Sequence, residues 1–324
     1  MKLDICYRTI FRFDSPVRES QNEMRACPVT NQRQQLLSYR ISLEPSARTL
    51  SFTDYWGTRV DQFGVTDSHQ SLQVTAEASV ETQDPIPLTA NPPLEALLEP
   101  QFRDSHEEYL HPTPHTNYDS ALAKEAQTLA SDAKDVRSTV EAVWEFAGSR
   151  LSYQPNSTKI GDCITEIAAK KAGVCQDFAH LGVALCRSLG IPARYVSGYL
   201  FSSNDRTGSV SGDFVRVQTH AWFEAAIPGA GWLPLDPTNQ LTVGHQHVKI
   251  GHGRDYDDVP PLRGVYSGPA TPEVEASVEI RRMDPAKFPT TALQPSLLRE
   301  VMKPRNRHNH TQSQNQQQQQ QQQQ

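Results

Sequence analysis

The amino-terminal part of the chain alternates apolar and polar residues in short runs. Apolar positions occur at Leu3, Ile5 and Tyr7, and the same alternation returns in Ser38-Tyr39-Arg40-Ile41-Ser42-Leu43. A period of two places the apolar side chains on one face of a strand, and turn-forming residues separate the runs. The pattern therefore predicts a small antiparallel β domain over residues 1–85.

Proline marks the segment that follows. Within residues 86–118 it occurs at Pro87, Pro92, Pro93, Pro100, Pro112 and Pro114. Because proline lacks a backbone N–H and breaks helices and central strands, this segment is predicted to be a linker that wraps the surface. After it, helices are predicted over 120–130 and 135–149, where a second domain, the core over residues 119–285, would begin.

A further helix is predicted from Cys175 to Leu189, and its first residue is a candidate for chemistry. Apolar residues recur along it at helical spacing, and Gly190-Ile191-Pro192 ends it. In the first turn of a helix, unpaired backbone N–H groups and the positive end of the dipole stabilise a thiolate. Gly173 is predicted to let a substrate approach the backbone closely. The alternative is that Cys175 is a small buried residue without a chemical role.

His220 and Asp236 are placed to complete such a site. Residues 220–227 and 232–236 are strand-like, and Pro228-Gly229-Ala230-Gly231 forms the turn between them. The two residues therefore lie near the open end of a predicted hairpin, where they are neighbours. An aspartate that accepts a hydrogen bond from one imidazole nitrogen leaves the other nitrogen for the thiol.

Three segments with these residues resemble the bacterial transglutaminase-like proteins, members of the papain-like superfamily of cysteine enzymes. They read GVCQDFAHLGVALCRSLGIPARYVSGYL from residue 173, THAWFEAAIPGAGWLPLDPTN from residue 219 and HVKIGHGRDYDDVPPLRGVYSG from residue 247. Two earlier segments, ESQNEMR from residue 19 and DYWGTRV from residue 54, resemble the small β domain that precedes the core in that family.

The resemblance implies an α+β fold with a papain-like, transglutaminase-like core, in which helices pack on an antiparallel sheet. It implies that Cys175 is the nucleophile, His220 the general base and Asp236 the residue that orients the base. All three positions hold the residue that the family's motifs require. The implied reaction is acyl transfer at an amide bond of a protein or peptide substrate, through a thioester on Cys175.

The acceptor of the acyl group is open at this stage. Water would make the protein a protease or amidase, which is the favoured reading, and a lysine amine would make it a protein-glutamine γ-glutamyltransferase. A third hypothesis is a non-catalytic peptide-binding module in which the three residues are idle. No D-x-[DN]-x-[DN]-G calcium loop occurs, and no cofactor is predicted.

Net charge, hydropathy and cysteine content bear on the partners, the location and the disulfide or zinc sites predicted for the protein. The 324 residues carry a formal net charge of −6, which gives no basic surface for nucleic acid. No apolar run is long enough for a membrane span, and Met1-Lys2-Leu3-Asp4 lacks the features of a signal peptide, so a cytoplasmic location is predicted. The five cysteines include no C-x-x-C pair, which disfavours a disulfide framework or a thiolate zinc site.

Two remaining sequence features, a group of histidines and a glutamine-rich tail, predict no functional site. His245, His247 and His252 form an H-x-H-x4-H pattern, but no acidic or thiolate partner recurs among them, and no metal site is predicted. Residues 286–324 end in nine consecutive glutamines. The Gln-rich end of this tail, from His308 to Gln324, cannot form a packed core and is predicted to be disordered.

Overall fold

The computed structural model describes residues 1–158, 162–201, 209–211 and 214–283, and the predicted tail over 286–324 lies outside these ranges. Residues Met1–Met283 form one compact unit. Its strands are β1 (Lys2–Met24), β2 (Gln34–Glu44), β3 (Thr49–Thr53), β4 (Arg59–Val65), β5 (His69–Thr82), β6 (Ser152–Tyr153), β7 (Ala172–Gly173), β8 (Ala193–Leu200), β9 (Ser209–Ser211), β10 (Phe214–Val217), β11 (His220–Ile227), β12 (Gly231–Asp236), β13 (Leu241–Thr242), β14 (His247–Gly253), β15 (Leu262–Ser267) and β16 (Pro272–Arg282). Its α-helices are α1 (Pro100–His106), α2 (Ser120–Ala130), α3 (Val136–Arg150), α4 (Ile164–Lys170) and α5 (Cys175–Ser188).

The amino-terminal sheet is built around β1. Its strands run in the order β2-β5-β1-β16-β10-β9, and β4 and β15 pair with the far end of β1. Leu3, Ile5 and Tyr7 are buried, as the alternating pattern predicts, while their neighbours are more exposed. The antiparallel strands predicted for the amino-terminal region are therefore present, and they bury one face against the rest of the molecule.

The end of the described chain returns to this sheet. β16 pairs with β1 along its length, from Leu3 opposite Arg282 to Phe13 opposite Pro272. The sequence analysis assigns residues up to 285 to the catalytic core, whereas here 272–282 hydrogen-bond to the first strand. An inner strand has backbone N–H and C=O groups along both edges that need partners. Local sequence does not show which distant segment pairs with the second edge.

The second sheet has the order β13-β12-β11-β8-β14, and α5 packs on it. The contact between helix and sheet is close at Gly182, where an added Cβ would lie 2.6 Å from the ring of Phe223. α2, α3 and α4 cover the same apolar core, so helices lie on one side of an antiparallel sheet. The predicted α+β fold is confirmed.

The proline-rich segment is packed against the core. Leu97 is buried among the core residues that α2, α3 and α5 also contribute. The buried guanidinium of Arg187, on α5, donates to the carbonyl oxygens of Tyr109 and His111 and to the hydroxyl of Thr116. These bonds fix the second half of the segment to the helix that begins with Cys175.

Gln34 is one of the residues that join the amino-terminal region to the edge of the second sheet. The Gln34 amide nitrogen donates to the carbonyl oxygens of Val29 (2.7 Å) and Lys249 (2.9 Å), and its oxygen accepts from the Lys249 N–H at 2.8 Å. The Val29 N–H also donates to the Lys249 carbonyl at 3.0 Å. β14 is an edge strand of its sheet, so these bonds satisfy backbone groups that would otherwise lack partners.

Replacing this amide should cost stability. Gln34→Leu keeps the side chain's bulk but leaves the buried Lys249 N–H unpaired, and we expect the free energy of unfolding to fall by about 3 kcal/mol in urea denaturation. Gln35→Leu, at the exposed neighbouring position, is the matched control. Equal losses in the two variants would contradict the structural role assigned to Gln34.

Candidate active site

Cys175 is the first residue of α5, as predicted. The Asp177 carboxylate reaches back to accept the Val174 N–H at 2.8 Å and the Thr158 hydroxyl at 2.6 Å. Burial raises the pKa of Asp177, while these two hydrogen bonds oppose that shift. The carboxylate thus fixes the start of the helix, and with it the position of the thiol.

Gly173 is needed for this arrangement. A Cβ at this position would lie 2.8 Å from both Cβ and Oδ2 of Asp177, closer than side-chain atoms pack. The sequence analysis attributes this glycine to the approach of a substrate. In the structure, the small residue makes room for the carboxylate that caps α5.

His220 is the first residue of β11, and the backbone just before it reaches the thiol. The Cys175 sulfur lies 3.9 Å from the carbonyl oxygen of Thr219. The His220 ring is buried, and its Nε2 lies 2.8 Å from Oδ2 of Asp236. Since Nε2 is engaged by the carboxylate, Nδ1 is the nitrogen left for the thiol. The structure thus brings the three predicted residues together.

Asp236 is fully buried and receives hydrogen bonds on both oxygens. Oδ1 accepts the backbone N–H groups of Thr238 (3.0 Å) and Asn239 (3.3 Å), and Oδ2 also accepts the Asn239 side-chain amide at 3.0 Å. The Trp144 indole N–H donates to the Asp236 carbonyl at 2.9 Å. The carboxylate is therefore held in one orientation by donors from β11 and the turn after β12, while the Trp144 bond from α3 fixes the backbone of the same residue.

The charges of His220 and Asp236 depend on each other. Burial alone would lower the pKa of His220, but the Asp236 carboxylate, and after it the Cys175 thiol, raise it well above its usual range. Burial alone would raise the pKa of Asp236, but His220 and then His247 hold it well below its usual range. Near neutral pH, the pair is an imidazolium and a carboxylate.

His247 is a member of this cluster that the sequence analysis missed. Its Nε2 lies 3.2 Å from Asp236 Oδ2, and its Nδ1 accepts the Gly244 N–H at 3.2 Å. The sequence groups His247 with His245 and His252, but His245 pairs with Asp84 instead, at 2.6 Å. The only signal was the position of His247 at the start of the closing HVKIGHGRDYDD motif, which gives no partner.

Two groups of side chains in the described residues have donor atoms close enough to hold a metal ion. They are His220, Asp236 and His247, and His115, Asp255 and Asp257, with the atoms of each group within 4.8 Å of one another. In the first group, hydrogen bonds already link both imidazoles to the carboxylate. In the second, His115 pairs with Asp257 at 3.0 Å. The donor atoms of the first group are thus already engaged in orienting His220.

The wall beside Cys175 is aromatic. Tyr195 and Tyr256 pack with Cys175 in one apolar cluster. The Tyr256 N–H donates to Nε2 of the buried His180 at 3.2 Å, and burial holds the pKa of His180 well below its usual range. His180 therefore holds the closing motif in place at Tyr256.

Comparison with known proteins identifies the family of the chain. Residues 123–237 match the model of the transglutaminase-like superfamily, and residues 3–81 match that of the bacterial transglutaminase-like N-terminal region. An uncharacterized protein of Mycobacterium leprae is 36% identical over 282 residues, which covers 87% of this chain and 99% of that protein. These matches confirm the family resemblance predicted from the sequence.

Two further similarities concern proteins that carry a functional description. The chain is 36% identical over 155 residues to a protein-glutamine gamma-glutamyltransferase of Pseudomonas aeruginosa, a match to 43% of this chain and 23% of that protein. It is also similar to the crystal structure of a proposed cysteine protease from Cytophaga hutchinsonii. That likeness has a TM-score of 0.67 and 25% identity, and it covers 88% of this chain and 92% of the other.

Within the described ranges, no helix is both long and apolar enough to cross a bilayer.

The His220–Asp236 pair makes stability depend on pH in a defined direction. The raised pKa of His220 adds stability that is complete below about pH 6.5 and is lost as the pH rises through the folded value. The lowered pKa of Asp236 adds stability above about pH 3.9 that is lost as the pH falls through the folded value. The pair therefore stabilises the fold most between about pH 4 and 6.5.

The Asp236→Asn substitution tests this dependence of stability on pH. At pH of about 6, we expect the variant to lose about 3 kcal/mol of unfolding free energy, and to lose less as the pH is raised, in urea denaturation series. Asp84→Asn removes the partner of the more exposed His245 and is the matched control. A loss in Asp236→Asn that is constant from pH of about 5 to 10 would contradict the ion pair.

Proposed function

Because the chain belongs to the transglutaminase-like superfamily, we propose that it is a cysteine-dependent acyl-transfer enzyme that acts on amide bonds of protein or peptide substrates. The observation that carries the proposal is the His220–Asp236 pair at 2.8 Å, placed beside a cysteine at the first residue of a helix. An oriented imidazole next to a thiol at a helix N-terminus is the arrangement that activates a thiolate.

The proposed reaction has two halves. The Cys175 thiolate attacks the amide carbonyl carbon, the oxygen takes the negative charge, and the C–N bond breaks as Nδ1 of His220 gives its proton to the departing amine. Water or an amine then attacks the thioester carbon, yields a proton to His220 and expels the thiolate. Throughout, Asp236 holds the ring and stabilises its positive charge.

The oxyanion requires donors near the thiol. We assign the backbone N–H of Cys175 to this role, because the first N–H groups of a helix have no acceptor within the helix and point toward its amino end. The fixed start of α5, held by Asp177, places that N–H beside the sulfur of the same residue. Preorganised donors of this kind cost no reorganisation during the reaction.

Hydrolysis is the outcome that we favour. The similarity to the proposed cysteine protease runs through 88% of the chain, whereas the match to the gamma-glutamyltransferase is confined to 43%. Transamidation is the second candidate, supported by that 36% identical segment. A peptide-binding module is disfavoured, because it would not require the buried carboxylate that holds His220 in a charged form.

The test separates these activities. The protein and its Cys175→Ala variant are incubated with glutamine-containing peptides, with and without a primary amine, and the products are read by mass spectrometry. We expect peptide cleavage or loss of ammonia that falls at least about 10³-fold in Cys175→Ala. Cys163→Ala, which removes another free thiol, should keep the activity.

The other outcomes are equally informative. Incorporation of the amine that depends on Cys175 would assign the transamidase instead. Equal product from the protein and Cys175→Ala would overturn acyl transfer and leave the binding module. We continue to predict that the substrates are proteins or peptides and that the protein is cytoplasmic.

A further inference from the structure

We propose that His247 is a positioning residue of the active site, whose Nε2–H holds the Asp236 carboxylate on His220, so that the functional unit is Cys175–His220–Asp236–His247. The inference rests on the proposed function, because it assigns a role within the same site. His247 has no place in a three-residue mechanism, yet it is buried and reaches the carboxylate that orients the base.

The hydrogen bonds of His247 define which nitrogen carries its proton. The Gly244 N–H donates to Nδ1 at 3.2 Å, so Nδ1 must be an acceptor and carry no proton. Nε2 then carries the proton and donates to Asp236 Oδ2 at 3.2 Å. The geometry thus selects a neutral imidazole with a single donor, aimed at the catalytic carboxylate.

The charges around His247 favour the same form. Burial, and the positive charges of His220 and Arg33, lower its pKa, while Asp236 opposes the shift. One carboxylate therefore faces one imidazolium, His220, and one neutral imidazole, His247. A neutral second donor steadies the carboxylate without competing for its charge.

His247 is held from several sides. The ring of Trp222 packs edge-on against it, with the ring centres 5.4 Å apart. Its strand, β14, is fixed by the bonds from Gln34 to Lys249, and the Lys249 ammonium is paired with Glu224 of β11 at 2.8 Å. β14 and β11 lie on either side of β8 in the sheet, so this ion pair ties the strand of His247 to the strand of His220.

The arrangement explains how the carboxylate keeps its orientation. Oδ1 is held by two backbone N–H groups of the turn after β12, whereas the donors to Oδ2 among the described residues are the side chains of His220, Asn239 and His247. His220 must change its charge during the reaction, and its hydrogen bond changes with it. His247 supplies a donor that stays constant while His220 gains and loses its proton.

Two substitutions separate the two bonds of His247. In His247→Gln, the amide nitrogen takes the place of Nε2 and can still donate to Asp236, but no acceptor remains for Gly244. In His247→Asn, the shorter side chain puts its oxygen near the place of Nδ1, where it can accept from Gly244, but the donor to Asp236 is lost. His245→Gln, at a position whose histidine pairs with Asp84, is the matched control.

The first readout needs no substrate. Alkylation of Cys175 by iodoacetamide is followed by peptide mass spectrometry between pH of about 5 and 9, with the free thiol of Cys163 as an internal reference, because the thiolate is the form that reacts. The titratable and charged groups that interact with Cys175, His220 or His247 include Asp236, Tyr195 and Arg33. We expect His247→Asn to alkylate about tenfold more slowly than the unsubstituted protein at pH of about 6, and His247→Gln and His245→Gln to stay within about threefold of it.

The second readout is turnover of the peptide substrate. A positioning role predicts that kcat falls about tenfold in His247→Asn while KM changes less than about twofold. If His247→Gln is impaired and His247→Asn is not, the residue serves only the turn at Gly244, and the proposal is overturned. Equal rates in all variants would overturn it as well.

Two controls keep the test decisive. If the unsubstituted protein alkylates Cys175 no faster than Cys163 at pH of about 6, the proposed function fails first, independently of His247. If both His247 variants fail to fold, the tautomer of His247 in the unsubstituted protein can be read from long-range ¹⁵N NMR correlations. A proton on Nδ1 at neutral pH would refute the proposal, and a proton on Nε2 alone is the expected result.

Discussion

The active site depends on one buried anion. A carboxylate without access to water is costly unless donors surround it, and Asp236 is fully buried. Two backbone N–H groups, one amide and two imidazoles converge on its oxygens. Together these donors offset the cost of burying the carboxylate. The charged carboxylate in turn raises the pKa of His220, so that the ring is an imidazolium.

Hydrogen bonds also connect the amino-terminal region to the active site. Gln34 binds the backbone of β14 at Lys249, and the Thr82 hydroxyl donates to the carbonyl of His245, just before that strand. β14 begins with His247, which reaches Asp236. The amino-terminal region therefore stabilises β14, the edge strand of the second sheet. This strand carries His247, which donates to the Asp236 carboxylate.

Much of the fold and part of the site follow from local patterns in the sequence. The helices over 120–130, 135–149 and 175–189 appear within a residue or two of the predicted bounds, because helical spacing and end signals act over a few residues. The hairpin of β11 and β12 was predicted from its turn residues, so His220 and Asp236 were expected to be neighbours. Cys175 was expected at the start of a helix for the same local reason.

The tertiary structure alone decided the rest. β16 pairs with β1 although more than two hundred residues separate them, since an unfilled strand edge does not specify its partner. Gly173 and Asp177 form a unit that only the packed helix start reveals. His247 lies on the strand at the opposite end of the sheet order from β13 and β12, and no spacing rule connects it to Asp236. The sequence by itself thus determined many of the helices and strands and the three candidate residues. The tertiary structure decided which donors surround the Asp236 carboxylate, because buried polar groups find their partners in space rather than along the chain.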